Sequence, residues 1–260
     1  MIENDRNNLP INNDELYVTD DSNFISSCIE KRLKKYNSDT LTEQWKEANI
    51  TLKKSDRGYE TLYICGQEVM SNLQIPYMKK LAENACLNGG KVLNIGYGLG
   101  ISDSFIEKNR ELNGVTEHHI IEFNKQVCKK AEAWRKTQKY KKNIFIHQGP
   151  WETIVPMLSM QFDGVLYDGY PLHKDMICKD VIPFIEASVQ YKLVKENEGV
   201  MTFFMDSIDG FGEAFKKFLK EYRITIYSTE KVTFPFDPNA DVLQYKSFIA
   251  PLLRGFKYHD

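Results

Sequence analysis

The sequence predicts an α/β fold in which a mostly parallel sheet is covered by helices on both faces. From residue 91 onward, apolar stretches of strand length alternate with stretches of helical periodicity. The first of these strands runs into a glycine-rich turn, and the second ends in an acidic residue. Because parallel strands need long crossover connections, this alternation is typical of a sheet built from strand–helix–strand units.

The predicted elements follow one another in a regular order. Strands are expected near residues 91–95, 117–121, 143–147, 162–167 and 198–204. Helices are expected near residues 100–110, 124–138, 151–158, 179–195 and 210–221. Two more apolar segments, 224–229 and 243–250, predict an antiparallel hairpin that closes one edge and brings the sheet to seven strands.

The residues before this sheet predict a smaller N-terminal region. Helices are expected near residues 23–36, 42–49 and 69–87, the last bent near Pro76, with a strand or hairpin arm at 59–65. We therefore divide the chain into an N-terminal extension or lid, residues 1–66, and a main domain, residues 67–260.

Composition argues against nucleic acid, membrane and metal chemistry. The 260 residues carry a formal charge of −2, so there is no basic excess for a nucleic acid. The five cysteines are scattered without metal-ligand spacing, and no apolar run reaches membrane-spanning length. The polar N-terminus lacks a signal sequence, so we expect a cytoplasmic protein without a metal.

The turn Gly96–Gly100 and the acid Glu122 predict a nucleoside-containing cofactor. Glycines let the backbone approach such a ligand closely, and a carboxylate accepts hydrogen bonds from ribose hydroxyls. A dinucleotide site wants a third small residue, but that position is Ile101. The next helix opens with Ser102 and Asp103, whose carboxylate would repel a phosphate. S-adenosylmethionine, which is a cation without phosphates, fits better.

Three later segments agree with this cofactor. Trp151 follows the third strand, where an indole could pack on an adenine. Asp168 ends the fourth strand, and ligands of open α/β sheets bind at the carboxyl ends of strands. The fifth strand ends in Met205, Asp206 and Ser207.

With these residues the chain resembles the guanidinoacetate N-methyltransferases and relatives that methylate guanidino nitrogens. The resemblance covers roughly residues 45–254 and implies a Rossmann-like class I methyltransferase fold. Its most specific parts are Tyr167-Asp168-Gly169-Tyr170-Pro171 and Trp151-Glu152. The other matching segments are 69–70, 76–78, 92–98, 119–124, 149–150, 162–166, 240–241 and 248–252.

The resemblance implies a cofactor site with distinct parts. The turn residues that would cradle the cofactor are Gly96, Tyr97, Gly98, Leu99, Gly100, Ile101 and Ser102. Glu122 would hold the ribose, with Phe123 and Asn124 beside the adenosine. The residues expected at the adenine are Gly149, Trp151 and Glu152. Met70 and Met78 would line the methionine end of the cofactor, and Trp45 would close over that end.

Asp168 is the expected catalytic residue, facing both cofactor and substrate. A protonated guanidinium has no free lone pair, so a carboxylate is needed to orient it and accept its proton. Tyr170 would shape the substrate pocket.

The chain departs from the family pattern on the substrate side. Where the family has a second carboxylate, this chain has Gln74, which neutralises no charge. Asp206 and Ser207 stand where the family contacts the carboxylate of its substrate with neutral residues, and Asp206 would attract a cation instead. Guanidinoacetate itself is therefore a poorer fit than the overall resemblance implies.

We expect a small-molecule N-methyltransferase acting on a guanidino or related nitrogen. One alternative is a protein or peptide arginine methyltransferase, against which stands the lid carrying Trp45. Another is a sensor that binds S-adenosylmethionine without turnover, because half of the expected carboxylate pair is missing. A homodimer is left open by the sequence.

Overall fold

The computed structural model describes residues 40–170, 181–205, 212–235 and 247–258. Its helices are α1 (Thr40–Glu47), α2 (Ile75–Ala85), α3 (Ile101–Asn113), α4 (Lys125–Thr137), α5 (Trp151–Ile154), α6 (Val181–Gln190) and α7 (Glu213–Glu221). The strands are β1 (Ile50–Lys54), β2 (Glu60–Ile64), β3 (Gln67–Ser71), β4 (Gly90–Ile95), β5 (Val115–Glu122), β6 (Ile144–Gln148), β7 (Gly164–Tyr167), β8 (Val200–Phe203), β9 (Thr225–Thr233) and β10 (Ser247–Arg254).

The central sheet confirms the predicted α/β architecture. Seven strands lie in the order β6-β5-β4-β7-β8-β10-β9. Strands β4 to β8 pair in parallel, and β10 runs antiparallel to both β8 and β9. The strand order reverses at β4, which pairs with β5 on one side and β7 on the other. Ligands of open α/β sheets bind at this kind of reversal.

Alternate residues of the central strands face different helices, as the period of a strand requires. Val92 and Leu166 belong to a core cluster with α2 and α3. Leu93 and Val165 belong to a second cluster with α6 and α7. A third cluster joins α4 to the N-terminal segment through Val127, Trp45 and Leu62. Helices on both faces therefore hold the strands from which the site is built.

The N-terminal region differs from its prediction around Pro76. The helix expected from residue 69 begins only at Ile75, because residues 67–71 form strand β3 of a three-stranded antiparallel sheet. A 3-10 turn, Asn72–Gln74, joins β3 to α2. Pro76 lies in the first turn of α2, where its missing N–H costs nothing, so it starts the helix and does not bend it. The predicted division at residue 66 falls in the turn between the paired strands β2 and β3.

Other predicted elements agree with the structure apart from their ends. The helix near 42–49 is α1, and the helix expected over 151–158 is the short α5 followed by a 3-10 turn. The predicted helix 23–36 lies outside the described residues. Within the described ranges, none of the helices is both long and apolar enough to cross a membrane.

Candidate active site

The glycine turn after β4 is held in a conformation that needs glycine. Gly96, Gly98 and Gly100 have φ values of +90°, +53° and +72°, in the left-handed region. A Cβ on Gly96 would lie 2.4 Å from the carbonyl oxygen of Asp168. A Cβ on Gly98 would lie 2.9 Å from Sδ of Met70. The turn thus packs directly against the end of β7 and against Met70.

Glu122, at the end of β5, ties this turn to the start of α4. Its two carboxylate oxygens accept hydrogen bonds from the backbone N–H groups of Tyr97, at 2.9 Å, and Asn124, at 2.8 Å. Burial raises the pKa of Glu122, and the backbone donors around it oppose that shift only in part. The backbone N–H groups of Phe123 and Gly98 also face this carboxylate, so its contact with a ribose stays a prediction.

Asn124 caps α4 and holds the N-terminal segment at the same time. Its Oδ1 accepts from the backbone N–H groups of Gln126 and Val127, at 2.9 and 3.0 Å. Its Nδ2 donates to the carbonyl oxygens of Trp45, at 2.6 Å, and Ala48, at 3.0 Å. The side chain is fully buried, and both its oxygen and its nitrogen are occupied by these hydrogen bonds. Its contact with adenosine therefore remains a prediction. Phe123, beside it, is half-buried in the cluster with Trp45.

Trp45 of α1 lies against the expected substrate residue Tyr170. The two rings stack with centroids 5.0 Å apart and planes 12° apart. The Tyr170 hydroxyl donates to Oε1 of Gln67 on β3, at 3.2 Å. Tyr170, two residues beyond Asp168, therefore contacts both Trp45 of the predicted N-terminal extension and Gln67 of the predicted main domain.

The two methionines lie at the glycine turn and the start of α3. The backbone N–H of Leu99 contacts Sδ of Met70 at 3.4 Å. The hydroxyl of Ser102 contacts Sδ of Met78 at 3.4 Å. Both side chains are buried, Met70 on β3 and Met78 on α2.

Trp151 lies in the first turn of α5, beyond the end of β6. Its indole meets the Phe184 ring edge-on, with centroids 5.2 Å apart, and is largely buried in the core. Glu152 beside it is also buried. Gly149 donates its N–H to the Glu122 carbonyl at 2.9 Å, which brings this segment to the end of β5. The adenine contact of Trp151 stays a prediction.

Asp168 is the first residue after β7 and lies beside the glycine turn. Its backbone N–H donates to the carbonyl of Ile95 at 2.9 Å. The carboxyl group is partly accessible but surrounded by protein, and this burial, together with the charge of Asp103, raises its pKa to about 8. A bound cation would favour the ionised form and lower that pKa. The arrangement suits a carboxylate that receives a guanidinium.

Gln74 has a structural partner as well as its predicted role. Its Oε1 accepts from the backbone N–H of Ser71 at 3.0 Å, while the Ser71 hydroxyl accepts from the N–H of Leu73 at 3.4 Å. This reciprocal pair is a capping box at the start of the 3-10 turn. Gln74 therefore does not lie within a helix as expected. Asp206 and Ser207 lie outside the described residues.

Sequence reasoning missed a buried polar group beneath the turn. The Nδ2 of Asn94, on β4, donates to the carbonyl of Gly96 and to Oδ1 of Asp103, both at 2.9 Å. Within the described part of the chain, Asn94 Oδ1 and Asp103 Oδ2 are buried acceptors without a hydrogen-bond donor. The signal was available, because Asn94 interrupts an otherwise apolar strand.

Sheet order, glycine turn and the acid at the end of β5 together define a Rossmann-like, S-adenosylmethionine-dependent methyltransferase. The chain belongs to the guanidinoacetate N-methyltransferase family, whose model matches residues 35–231. This confirms the family resemblance and the enzyme class drawn from the sequence.

Two curated relatives are similar to this chain over part of their length. The protein arginine N-methyltransferase 2 of Aspergillus oryzae is 34% identical over 126 residues, which cover 45% of this chain and 29% of that protein. The protein of the same name from Emericella nidulans is 35% identical over 117 residues, covering 45% of this chain and 25% of that protein. Each match thus spans less than a third of the relative.

Solved structures support the fold. Spermidine synthase from Thermotoga maritima superposes with a TM-score of 0.56 at 16% identity, covering 82% of this chain and 72% of that chain. A spermidine synthase in complex with a transition-state analogue gives a TM-score of 0.57 at 17% identity, covering 82% and 73%.

Proposed function

We propose that this chain methylates the guanidino group of arginine residues in a protein, with S-adenosylmethionine as the methyl donor. Two relatives with 34% and 35% identity carry the name protein arginine N-methyltransferase 2. Those names favour a protein substrate over the small molecule expected from the sequence. The guanidino group is common to both and agrees with the family.

The residues present fit the cofactor. The left-handed glycines Gly96, Gly98 and Gly100 keep side chains off the turn, which lets a ligand approach its backbone. Glu122 would hold the ribose, and the buried acceptors of Asn94 and Asp103 suit a ligand that is cationic and rich in donors. Met70, which contacts the turn, would line the methionine end. When bound, S-adenosylmethionine supplies an electrophilic methyl group on a sulfonium.

The observation that carries the proposal is the position of Asp168 against the glycine turn. Its carbonyl oxygen leaves no space for a side chain on Gly96, and its N–H is bonded to Ile95 at the end of β4. A carboxylate at this place would orient a guanidinium beside the cofactor turn and accept the proton that the nitrogen must lose. In-line transfer depends on this alignment.

The aromatic residues near Asp168 suit an arginine side chain. Tyr170 lies two residues beyond Asp168 and is only half-buried; Trp45 covers one face of its ring, and a planar guanidinium could stack on the other. An arginine has a long unbranched stem, so its head group could reach the site while the peptide backbone stays outside the lid. The lid is therefore compatible with a protein substrate.

The proposal is tested by methyl transfer from isotope-labelled S-adenosylmethionine. The acceptors are arginine-containing peptides, their lysine-substituted counterparts, guanidinoacetate, free arginine, agmatine and a simple amine. We expect label in the arginine peptides, released as methylarginine after acid hydrolysis, and none in the lysine controls.

Label in guanidinoacetate or agmatine alone would overturn the protein substrate and restore the small-molecule interpretation. Cofactor binding without transfer to any acceptor would favour the sensor. A second labelling with Asp168→Asn separates a slow enzyme from a contaminating activity, because only the former depends on this carboxyl.

A further inference from the structure

Beneath the glycine turn, four buried ionisable side chains form a continuous network. His118 on β5 lies between two acids of α3: its Nε2 is 3.1 Å from Oδ1 of Asp103, and its Nδ1 is 3.0 Å from Oε1 of Glu107. Arg110 donates to both oxygens of Glu107, at 2.7 and 2.8 Å. His118 and Asp103 are fully buried, and the others are largely so.

The geometry fixes the protonation of His118. A neutral imidazole carries one N–H and can donate to only one acceptor. Here both ring nitrogens lie within hydrogen-bond distance of carboxyl oxygens; with both acids ionised, both nitrogens donate and the ring is an imidazolium. The network then has two negative charges, Asp103 and Glu107, and two positive charges, His118 and Arg110. It is neutral as a unit.

Asp103 connects this network to the site. Its Oδ1 also accepts from Nδ2 of Asn94, which in turn donates to the carbonyl of Gly96 in the cofactor turn. Gly96 in turn packs directly against the backbone carbonyl of Asp168, and the charge of Asp103 raises the pKa of the Asp168 carboxyl. An uncompensated charge on Asp103 would therefore disfavour ionisation of Asp168.

We propose that His118 is a positioning residue for methyl transfer: as an imidazolium it holds Asp103 beneath the glycine turn and offsets part of its charge, so that a bound guanidinium can draw Asp168 into its ionised form. The part that concerns Asp168 rests on the proposed function. His118 itself does not contact substrate or cofactor.

All groups that face His118 are consistent with this role. Asp103 and Glu107 face it from α3, Arg110 acts through Glu107, and the uncharged Trp134 of α4 meets the ring edge-on at 6.1 Å. Burial disfavours the imidazolium, but the hydrogen bonds and charges of the two acids outweigh it and raise the pKa of His118.

The neighbouring His119 offers a matched control. It faces the opposite side of β5, where it stacks on His147 and contacts Glu117 at 3.2 Å. Its burial lowers its pKa to about 4, so it is neutral at pH 7. His118→Gln and His119→Gln therefore make the same chemical change on the same strand, with and without loss of a buried cation.

The first test is the pH profile of kcat/KM with an arginine peptide. In His118→Gln the charge of Asp103 is uncompensated, so the rising limb that reports Asp168 should move upward by about 1 pH unit. The double variant Asp103→Asn/His118→Gln removes that charge, and its limb should return to or below the wild-type position. His119→Gln should leave the limb unchanged.

A structural role alone would lower kcat/KM in His118→Gln without moving the limb, and that result would overturn the proposal. An upward shift that persists in the double variant would overturn it equally, because the shift would then not depend on Asp103.

The second test does not depend on catalysis, and its first measurement needs no variant. In wild-type protein, nitrogen NMR of the histidine rings should show His118 as an imidazolium and His119 as a neutral ring at pH 7. Affinity for S-adenosylhomocysteine should fall about tenfold in His118→Gln and stay near wild type in His119→Gln. A neutral His118 at pH 7 would refute the inference, whereas absence of methyl transfer with these results intact would refute only the proposed function.

Discussion

The proposed methyl-donor side and the proposed acceptor side of the site are built in opposite ways. The donor side, comprising the glycine turn, Asn94 and Glu122, comes from one strand–helix–strand unit and is held by short hydrogen bonds to backbone. The acceptor side brings Asp168, just after β7, together with Trp45 from α1 and Gln67 from β3. The donor side is thus local in sequence, whereas the acceptor side depends on how distant segments assemble.

Asp168→Asn gives the largest expected effect, because it removes the proton acceptor from the acceptor side. We expect methyl transfer to fall roughly a thousandfold, within the usual contribution of a general base. Affinity for S-adenosylhomocysteine should change much less, since the donor side is intact. Labelled transfer and calorimetry measure the two quantities. Equal losses of methyl transfer and of affinity for S-adenosylhomocysteine would show that Asp168 serves the donor side as much as the acceptor side.

The same variant should be more stable than the wild type. Burial and Asp103 raise the folded-state pKa of Asp168 to about 8, well above its unfolded value. The protonated Asp168 carboxyl stabilises the folded state fully below about pH 4, and this contribution is lost as pH rises through about 8. Asparagine cannot ionise, so the gain in Asp168→Asn should grow across this range, to on the order of 5 kcal/mol once the wild-type carboxyl is fully ionised. Thermal unfolding at pH 5 and pH 9 measures it.

Gly96→Ala tests the donor side. The added Cβ meets the Asp168 carbonyl in a left-handed backbone, so the turn must shift. We expect affinity for S-adenosylhomocysteine to fall about a hundredfold, on the order of 3 kcal/mol. Gly114→Ala is the control, because Gly114 has a similar φ of +75° but open space around its Cβ. Equal losses of affinity in the two variants would mean that backbone strain causes the effect, and not the contact with the Asp168 carbonyl.

The contrast between the sides also explains what the sequence could predict. The glycine turn, Glu122 and the order of strands and helices follow from local periodicity, and the structure confirms that fold. The helix expected from residue 69 was wrong because the apolar pattern of Val69 and Met70 also suits a strand, and pairing with β2 decided between them. No local pattern could show that Asn124 would hold Trp45, since 79 residues separate them.

Asn124→Ser tests the connection between the two sides. Serine can still cap α4, so the helix should keep its start. It cannot reproduce both hydrogen bonds to the carbonyls of Trp45 and Ala48. We expect KM for the acceptor to rise roughly tenfold, from the loss of two hydrogen bonds, with thermal stability lowered only slightly. An unchanged KM would mean that the stacking of Trp45 on Tyr170 is enough to hold α1 in place.

Gln74→Glu has the smallest expected effect on catalysis and concerns acceptor choice. Glutamate serves in a capping box as glutamine does, so the hydrogen bond from Ser71 should be retained, while burial of the new carboxylate should lower the melting temperature. The new charge should strengthen binding of a small guanidinium through charge-assisted hydrogen bonds.

We expect kcat/KM for guanidinoacetate to rise about fivefold relative to the arginine peptide. Gln74→Leu, which abolishes the capping bond without adding charge, should lower stability and leave the ratio unchanged. If Gln74→Glu also leaves the ratio unchanged, Gln74 serves the turn before α2 and not substrate selection, and the acceptor side loses one of its predicted members.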